Sequence, residues 1–382
     1  MAVRVFKNLI LPDLTKFFFL VLAYCLMVCC WVVIRQAIIR KGESMINVAI
    51  NGCGRIGKTL LRILCASTEI KDKITIKALN IGPADLEVLG YLITYDSLLG
   101  TYHHEVHIEG KKLSINGHEI EIFAETDATK LPWKALGIDV VVDATGKYTK
   151  RDKAQEHLTA GAKMVLISAP AQGDDITIIP GINSQLFDAS KHKIISLGSC
   201  TTNAVVPLLH VLHQTCGIEE AALTTVHAYT NSQALLDVDP RVHDVRRSRA
   251  AALNIVPSTT GAMEVVERIM PELKGKVQGL SLRVPVPVVS LIDLAFIPEK
   301  SITKQEISDA FTRAASGPLK SIMAVSSVPL VSHDFQGNPN SVTVDLTMLS
   351  KVGTLGKVFG WYDNEYGYSM RLKDFLMMVA QK

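Results

Sequence analysis

The stretch Ser199-Cys200-Thr201-Thr202-Asn203 sets one thiol among hydroxyl and amide side chains, after the apolar run "IISLG" and before "NAVVP". A cysteine that follows a strand and opens a helix sits near helix amides and the positive end of the dipole, a setting that lowers a thiol pKa. Cys65, on an apolar helical face, and Cys216, near a helix end, read instead as small buried hydrophobes. A thiol nucleophile requires a base. Among 11 histidines the candidate is His227 in "TTVHAYT", since a β-branched strand presents it at its end beside Thr230 and Asn231; read from spacing alone, a structural histidine fits the same position. Arg283 stands alone in the apolar "SLRVP", where a cation is costly unless paired or ligated, and a phosphate would satisfy it through charge-assisted bonds. Arg246, Arg247 and Arg249 cluster in "DVRRSRAAA", compatible with a solvated face or a subunit ion-pair network.

These residues need a scaffold, and the sequence supplies an alternating one. "INVAI" (46–50) is a short strand, "NGCGRIG" (51–57) a glycine turn, "KTLLRILCAS" (58–67) has helical apolar spacing, and "ITIKALN" (74–80) is the next strand. This βαβ unit carries G-x-G-x-x-G at Gly52, Gly54 and Gly57, a dinucleotide fingerprint in this context although weak alone. Its glycines permit the tight turn, backbone approach to a pyrophosphate and close helix–strand packing, while the helix N-terminus offers amides to the anion. A strand ending in a glycine turn (138–146), a helix (152–160) and strands at 163–170 and 193–199 continue a parallel sheet with crossover helices. After Cys200 the pattern changes to one helix and long β-rich runs, "AALTTVHAYT", "VQGLSLRVPVPVVSLIDLAFI" and "NSVTVDLTML", whose lengths suit an antiparallel sheet. The last stretch reads as a strand, a turn and a helix.

The 382-residue chain is 48% hydrophobic and 20% charged, enough for two ordinary cores. Residues 1–44 differ, because Phe17 to Ile34 form an unbroken apolar run flanked by Lys16 and Arg35. As a helix it would reach roughly 27 Å, at the short end of a bilayer span. Two readings stand: translation starts at Met45, directly before "INVAINGCGRIG", or residues 1–44 are an anchor or targeting segment. That extension holds six Lys/Arg against two Asp/Glu, leaving 34 against 35 in the rest, so the basic excess gives no case for nucleic-acid binding. The seven cysteines form no C-x-x-C pair and no metal spacing with histidine, so neither a disulfide framework nor a metal site is expected.

Seven segments, "AINGCGRIGK", "YDSLLG", "SCTTN", "TVHAYT", "RAAALNIVPSTTGA", "LRVPVPVVSLIDL" and "WYDNEYGYS", stand in one order, and from Met45 onward the chain closely resembles the phosphorylating glyceraldehyde-3-phosphate dehydrogenases. The resemblance implies an α/β fold: a Rossmann dinucleotide-binding domain over 45–199, completed by a C-terminal helix in 364–382, and an α+β catalytic domain over 200–363 with a large, mostly antiparallel sheet. It implies that Cys200 is the nucleophile and His227 its base. It places Thr230 and Arg283 around the substrate phosphate, and Ser199, Thr201, Thr260, Gly261 and Arg249 around the attacking inorganic phosphate. Gly52, Gly54, Arg55, Ile56, Gly57, Thr126, Gly146, Ser168 and Asn364 fall to the cofactor, with Asn364 on the nicotinamide carboxamide. A cytoplasmic homotetramer is implied, with membrane association only through Phe17 to Ile34.

Three departures from the family pattern bear on the cofactor, which is NAD or NADP. Ile81 stands where an Asp usually follows the Asn that ends the second strand, removing both a partner for the ribose 2′-OH and a group that repels a 2′-phosphate. Asp85 could replace it if the loop folds back. Thr126 stands where relatives often have Arg, and "DVDPRVHDVRR" is about two residues longer than usual. NADP tolerance or a weakened NAD preference is therefore expected. The competing readings are an erythrose-4-phosphate dehydrogenase of the same fold and a membrane-tethered binding protein without catalysis.

Overall fold

A computed structural model of the protein describes residues 45–239 and 244–381; the apolar run Phe17 to Ile34 and part of the lengthened 237–247 loop lie outside it. β1 (Ile46–Asn51), α1 (Arg55–Ala66) and β2 (Ile74–Asn80) form the βαβ unit, with β1 and β2 paired in parallel. Leu60, Leu61 and Leu64 recur on one face of α1 and are fully buried, each contributing about 1.5–3 kcal/mol by leaving water.

α2 (Leu86–Thr94) leads to an antiparallel meander of β3 (Val106–Glu109), β4 (Lys112–Ile115) and β5 (His118–Phe123), and β5 joins β2 in parallel. β6 (Val140–Asp143), α3 (Arg151–Thr159), β7 (Met164–Ile167), β8 (Ile176–Thr177) and β9 (Ile194–Ser196) complete the first unit. Among the described residues the sheet has nine strands, ordered β3-β4-β5-β2-β1-β6-β7-β9-β8. From β1 the chain moves to β2 on one side and later to β6 on the other, so a crevice opens beyond the carboxyl end of β1, where doubly wound sheets bind ligands.

The second unit begins with α4 (Cys200–Cys216), followed by β10 (Glu220–Ala228), β11 (Val256–Ser258), α5 (Ala262–Ile269), β12 (Val277–Val284) and β13 (Ser290–Ile297). α6 (Lys304–Ser316), β14 (Met323–Ser326), β15 (Val342–Asp345), β16 (Ser350–Val352) and β17 (Leu355–Tyr362) follow, and α7 (Tyr366–Ala380) ends the described chain. The sheet order is β11-β12-β10-β13-β17-β15-β14, with β16 on β17. It is mostly antiparallel, but β10 runs parallel to β12 and β14 to β15. The long run at 277–297 is two strands, divided where Pro285 and Pro287 withhold ladder donors.

α4 lays Val205, Leu208 and Leu212 into one core with Ile292, Leu294 and Phe296 of β13. α7 returns to the first unit, where Tyr368, Leu372, Phe375 and Leu376 join the core of β1, α1 and β2. No helix among the described residues is long and apolar enough to cross a membrane.

Candidate active site

Ser199 ends the approach to α4 as its N-cap: its hydroxyl accepts from the Thr202 N–H at 3.0 Å, while the Ser199 N–H donates to the Thr202 hydroxyl at 3.3 Å. This reciprocal capping box fixes Cys200 as the first residue of the helix, half-buried. Across from it, β10 delivers His227 near its end, 3% exposed. The Cys200 Sγ lies 3.5 Å from His227 Nε2. His227 Nδ1 is 2.6 Å from the Ala228 carbonyl, and in the tautomer that donates to that carbonyl the Nε2 lone pair faces the thiol.

Arg283 occupies the matching position on β12, in register with His227. Its Nη1 is 2.8 Å from His227 Nδ1 and donates to the Ala228 carbonyl at 3.2 Å. Burial, then the Arg283 charge, lowers the His227 pKa to about 3. Burial pushes the Cys200 thiol up, opposed by Arg283 and by hydrogen bonds from Thr201. The sequence leads one to expect a lowered thiol pKa at this helix start; here desolvation outweighs the helix and the guanidinium. Both shifts favour the neutral thiol and the neutral imidazole, with Sγ within reach of Nε2.

Of the other expected anion-site residues, Thr201, Thr230, Arg249 and Thr260 have partners of their own. Arg283 Nε is buried without a partner among the described residues, an unsatisfied cationic donor. The Thr201 hydroxyl meets Tyr362 Oη at 3.0 Å, and the same Oη meets the Thr225 hydroxyl at 2.8 Å. The Thr230 hydroxyl pairs with Ser232 at 3.0 Å. Arg249 is exposed and its Nε donates to Asp237 at 2.7 Å. Thr260 accepts from the Ala262 N–H at 3.2 Å, and Gly261 is the N-cap of α5. Among the described residues no hydrogen bond joins Thr230, Arg249, Thr260 or Gly261 to Cys200 or His227.

On the cofactor side, Gly52 adopts φ 101°, and a side chain there would meet Ala144 and Thr145. A Cβ on Gly57 would stand 1.8 Å from the Gly52 carbonyl oxygen, so the helix packs directly on the turn. Gly54 is open, with nothing within 4 Å of a Cβ, and as N-cap of α1 it makes no side-chain cap. The first amides of α1 thus face an unobstructed approach, as a pyrophosphate requires. The residues present fit a dinucleotide. Gly146 (φ 70°) and Ser168 lie just past β6 and β7, on the same carboxyl edge.

The Arg55 side chain is not free for phosphate. Its Nε donates to both Glu365 carboxylate oxygens at 2.9 and 3.0 Å, and Nη1 pairs with Asp96. Asn364 is buried, its Oδ1 accepting from Ser290 Oγ at 3.2 Å, while Ser290 Oγ accepts from the Ala228 N–H at 3.0 Å. The end of the histidine strand and Asn364 are thereby coupled through one hydroxyl.

A pocket of about 110 Å³ beyond β1, β2 and β6 includes Gly52, Ile81, Thr126 and Tyr148 in its wall. Asp85 is not part of it: its Oδ1 caps α2, accepting from the Glu87 N–H at 2.9 Å. The loop does not fold back to replace the missing carboxylate, because the helix end claims that side chain.

Sequence reasoning missed the polar floor of this crevice. Asn51, Asn80 and Asp143 align at the ends of adjacent strands, with Asn51 Nδ2 donating to Asp143 Oδ2 at 2.6 Å and Asn80 Nδ2 to Asn51 Oδ1 at 2.7 Å. The signal was present, since three apolar strands each end in Asn or Asp. Tyr362 was also missed, because only the fold brings β17 beneath Thr201.

Residues 46–151 match the family model "Glyceraldehyde 3-phosphate dehydrogenase, NAD binding domain", and residues 199–364 match "Glyceraldehyde 3-phosphate dehydrogenase, C-terminal domain". The chain is 45% identical over 338 residues to glyceraldehyde-3-phosphate dehydrogenase of Geobacillus stearothermophilus, covering 88% of this chain and 99% of that relative. It is equally similar, with the same coverage, to glyceraldehyde-3-phosphate dehydrogenase 1 of Bacillus subtilis (strain 168). Identity to glyceraldehyde-3-phosphate dehydrogenase of Kitasatospora aureofaciens is 44% over 338 residues, 88% of this chain and all of that relative. The matches begin beyond the N-terminal extension.

Proposed function

The chain belongs to the glyceraldehyde-3-phosphate dehydrogenase family, and from that premise we propose that Cys200 is the nucleophile and His227 the base of its reaction. The protein is an aldehyde oxidoreductase that converts glyceraldehyde 3-phosphate and inorganic phosphate to 1,3-bisphosphoglycerate with a nicotinamide dinucleotide. The erythrose 4-phosphate and non-catalytic readings are not favoured by these relatives. The observation that carries the residue assignment is the 3.5 Å approach of Sγ to His227 Nε2.

Nε2 takes the thiol proton as sulfur attacks the aldehyde carbon and hands it to the former carbonyl oxygen, forming a thiohemiacetal on Cys200 and leaving the imidazole neutral. His227 then accepts the hydroxyl proton as C1 is oxidised, and Cys200 is left as a thioester. The cofactor supplies the two-electron acceptor for that oxidation. A phosphate oxygen attacks the thioester carbonyl, and Cys200 departs as thiolate, which recovers its proton through His227. The unpaired Arg283 Nε supports a role in holding the substrate phosphate with Thr230. Ser199, Thr201, Arg249, Thr260 and Gly261 are assigned to inorganic phosphate; Arg249 would exchange its exposed Asp237 partner for the anion. Asn364, tied through Ser290 to the histidine strand, orients the nicotinamide.

The division into a cofactor domain at 45–199 plus 364–382 and a catalytic domain at 200–363 accords with the two cores. The cofactor preference is relaxed toward NADP, supported by Ile81 after β2 and by the capping role of Asp85. A homotetramer is supported by exposed apolar side chains near the lengthened loop, Leu235 at 79% and Leu253 at 79% among them.

The decisive experiment is single turnover with and without phosphate. Without phosphate, one equivalent of reduced cofactor should form per Cys200 and an acyl adduct should be found on that residue by mass spectrometry. Cys200→Ser should give neither while still binding cofactor; turnover at the wild-type rate would refute the assignment.

A further inference from the structure

The pocket at the carboxyl ends of β1, β2 and β6 has one basic and one acidic side chain in its wall, Lys147 and Glu125. Glu125 is turned onto its own loop: Oε1 accepts from the Thr126 and Asp127 N–H groups at 2.8 and 2.9 Å. Lys147 is exposed and has no ion-pair partner among the described residues, while its backbone N–H is held by the Thr145 hydroxyl at 3.1 Å. In the same wall, Ile81 is pinned after β2 by its N–H donating to the Phe123 carbonyl at 2.8 Å, and it brings a hydrocarbon where a ribose-binding carboxylate is customary.

A dinucleotide laid with its pyrophosphate on the first turn of α1 puts its adenosine ribose over the ends of β1 and β2, in this pocket. A 2′-OH there would leave Lys147 unused. A 2′-phosphate would meet an ammonium with no competing carboxylate at Ile81.

We propose that Lys147 is a specificity-determining residue that recognises the adenosine 2′-phosphate, and that the pocket between Ile81 and Lys147 is built to accept the phosphorylated dinucleotide. This rests on the reading of 45–199 as the cofactor domain and extends it by naming the side chain responsible.

The test is calorimetric binding of 2′,5′-ADP and of ADP to the full chain, with kcat/KM for NADP and NAD measured alongside. Wild-type protein should bind 2′,5′-ADP more tightly than ADP. Lys147→Ala should reduce the ratio of the two affinities by roughly ten-fold or more, the scale of one charge-assisted bond, and Lys147→Arg should retain it. The NADP/NAD ratio of kcat/KM should fall in parallel. An unchanged ratio in Lys147→Ala, or a wild-type protein that binds ADP more tightly, overturns the proposal even if aldehyde oxidation proceeds. Absence of aldehyde oxidation with either cofactor, in protein that still discriminates the two nucleotides through Lys147, would instead refute the functional reading.

Discussion

Arg283 and His227 sit side by side at matched positions of two parallel strands, guanidinium Nη1 2.8 Å from imidazole Nδ1. A fixed cation beside the base disfavours the imidazolium, so the base stays unprotonated, and the same cation favours the thiolate opposite.

Replacing Arg283 with Gln should therefore move two groups upward: His227 from about 3 toward 6.5, and the Cys200 thiol further above its ordinary value. Imidazole titration by NMR and the pH dependence of alkylation by iodoacetamide would read the two shifts. An alkylation profile that moves to lower pH would contradict this account.

The buried imidazole also links folding to pH. Its folded pKa is depressed, so the unfolded chain binds the extra proton, and the stability contribution is complete above about pH 6.5 and lost as pH falls toward about 3. Denaturant unfolding followed from pH 7 to 4 should show a shallower decline in His227→Gln than in the wild type.

Gly57→Ala places a methyl 1.8 Å from the Gly52 carbonyl oxygen, and the turn must give way. A loss of about 1–3 kcal/mol is expected for such overpacking, with weakened dinucleotide binding, both measurable by thermal unfolding with and without cofactor. Gly54→Ala, with open space around it, should be far milder.

Asp85→Ala removes the N-cap of α2, which should cost about 1 kcal/mol. The NAD/NADP ratio of kcat/KM should stay within about two-fold of the wild type, because such a side chain acts on the helix end and not on the ribose. A strong wild-type NAD preference that vanishes in Asp85→Ala would show that the carboxylate reaches the cofactor after all.

The βαβ unit, its glycine turn and the thiol at a helix start were legible because each depends on residues close in sequence. The Ser199–Thr202 capping box lies within four residues. The pairing of His227 with Arg283 was not legible, since it depends on β10 and β12 lying parallel across 56 residues, nor was the upward push on the thiol pKa, which comes from burial of the site. The meander of β3, β4 and β5 escaped because its strands are only four to six residues long. Helix α6 did leave a local trace, as Thr303 and Glu306 form a capping box.

The return of α7 to the first core has a temporal meaning during synthesis. Phe375 and Leu376 fill space beside strands translated roughly 300 residues earlier, so a ribosome-bound chain leaves part of the apolar core of β1, α1 and β2 bare. Until residues 366–380 emerge, that surface stays exposed, and translation must pass through the whole catalytic half before the first half is closed.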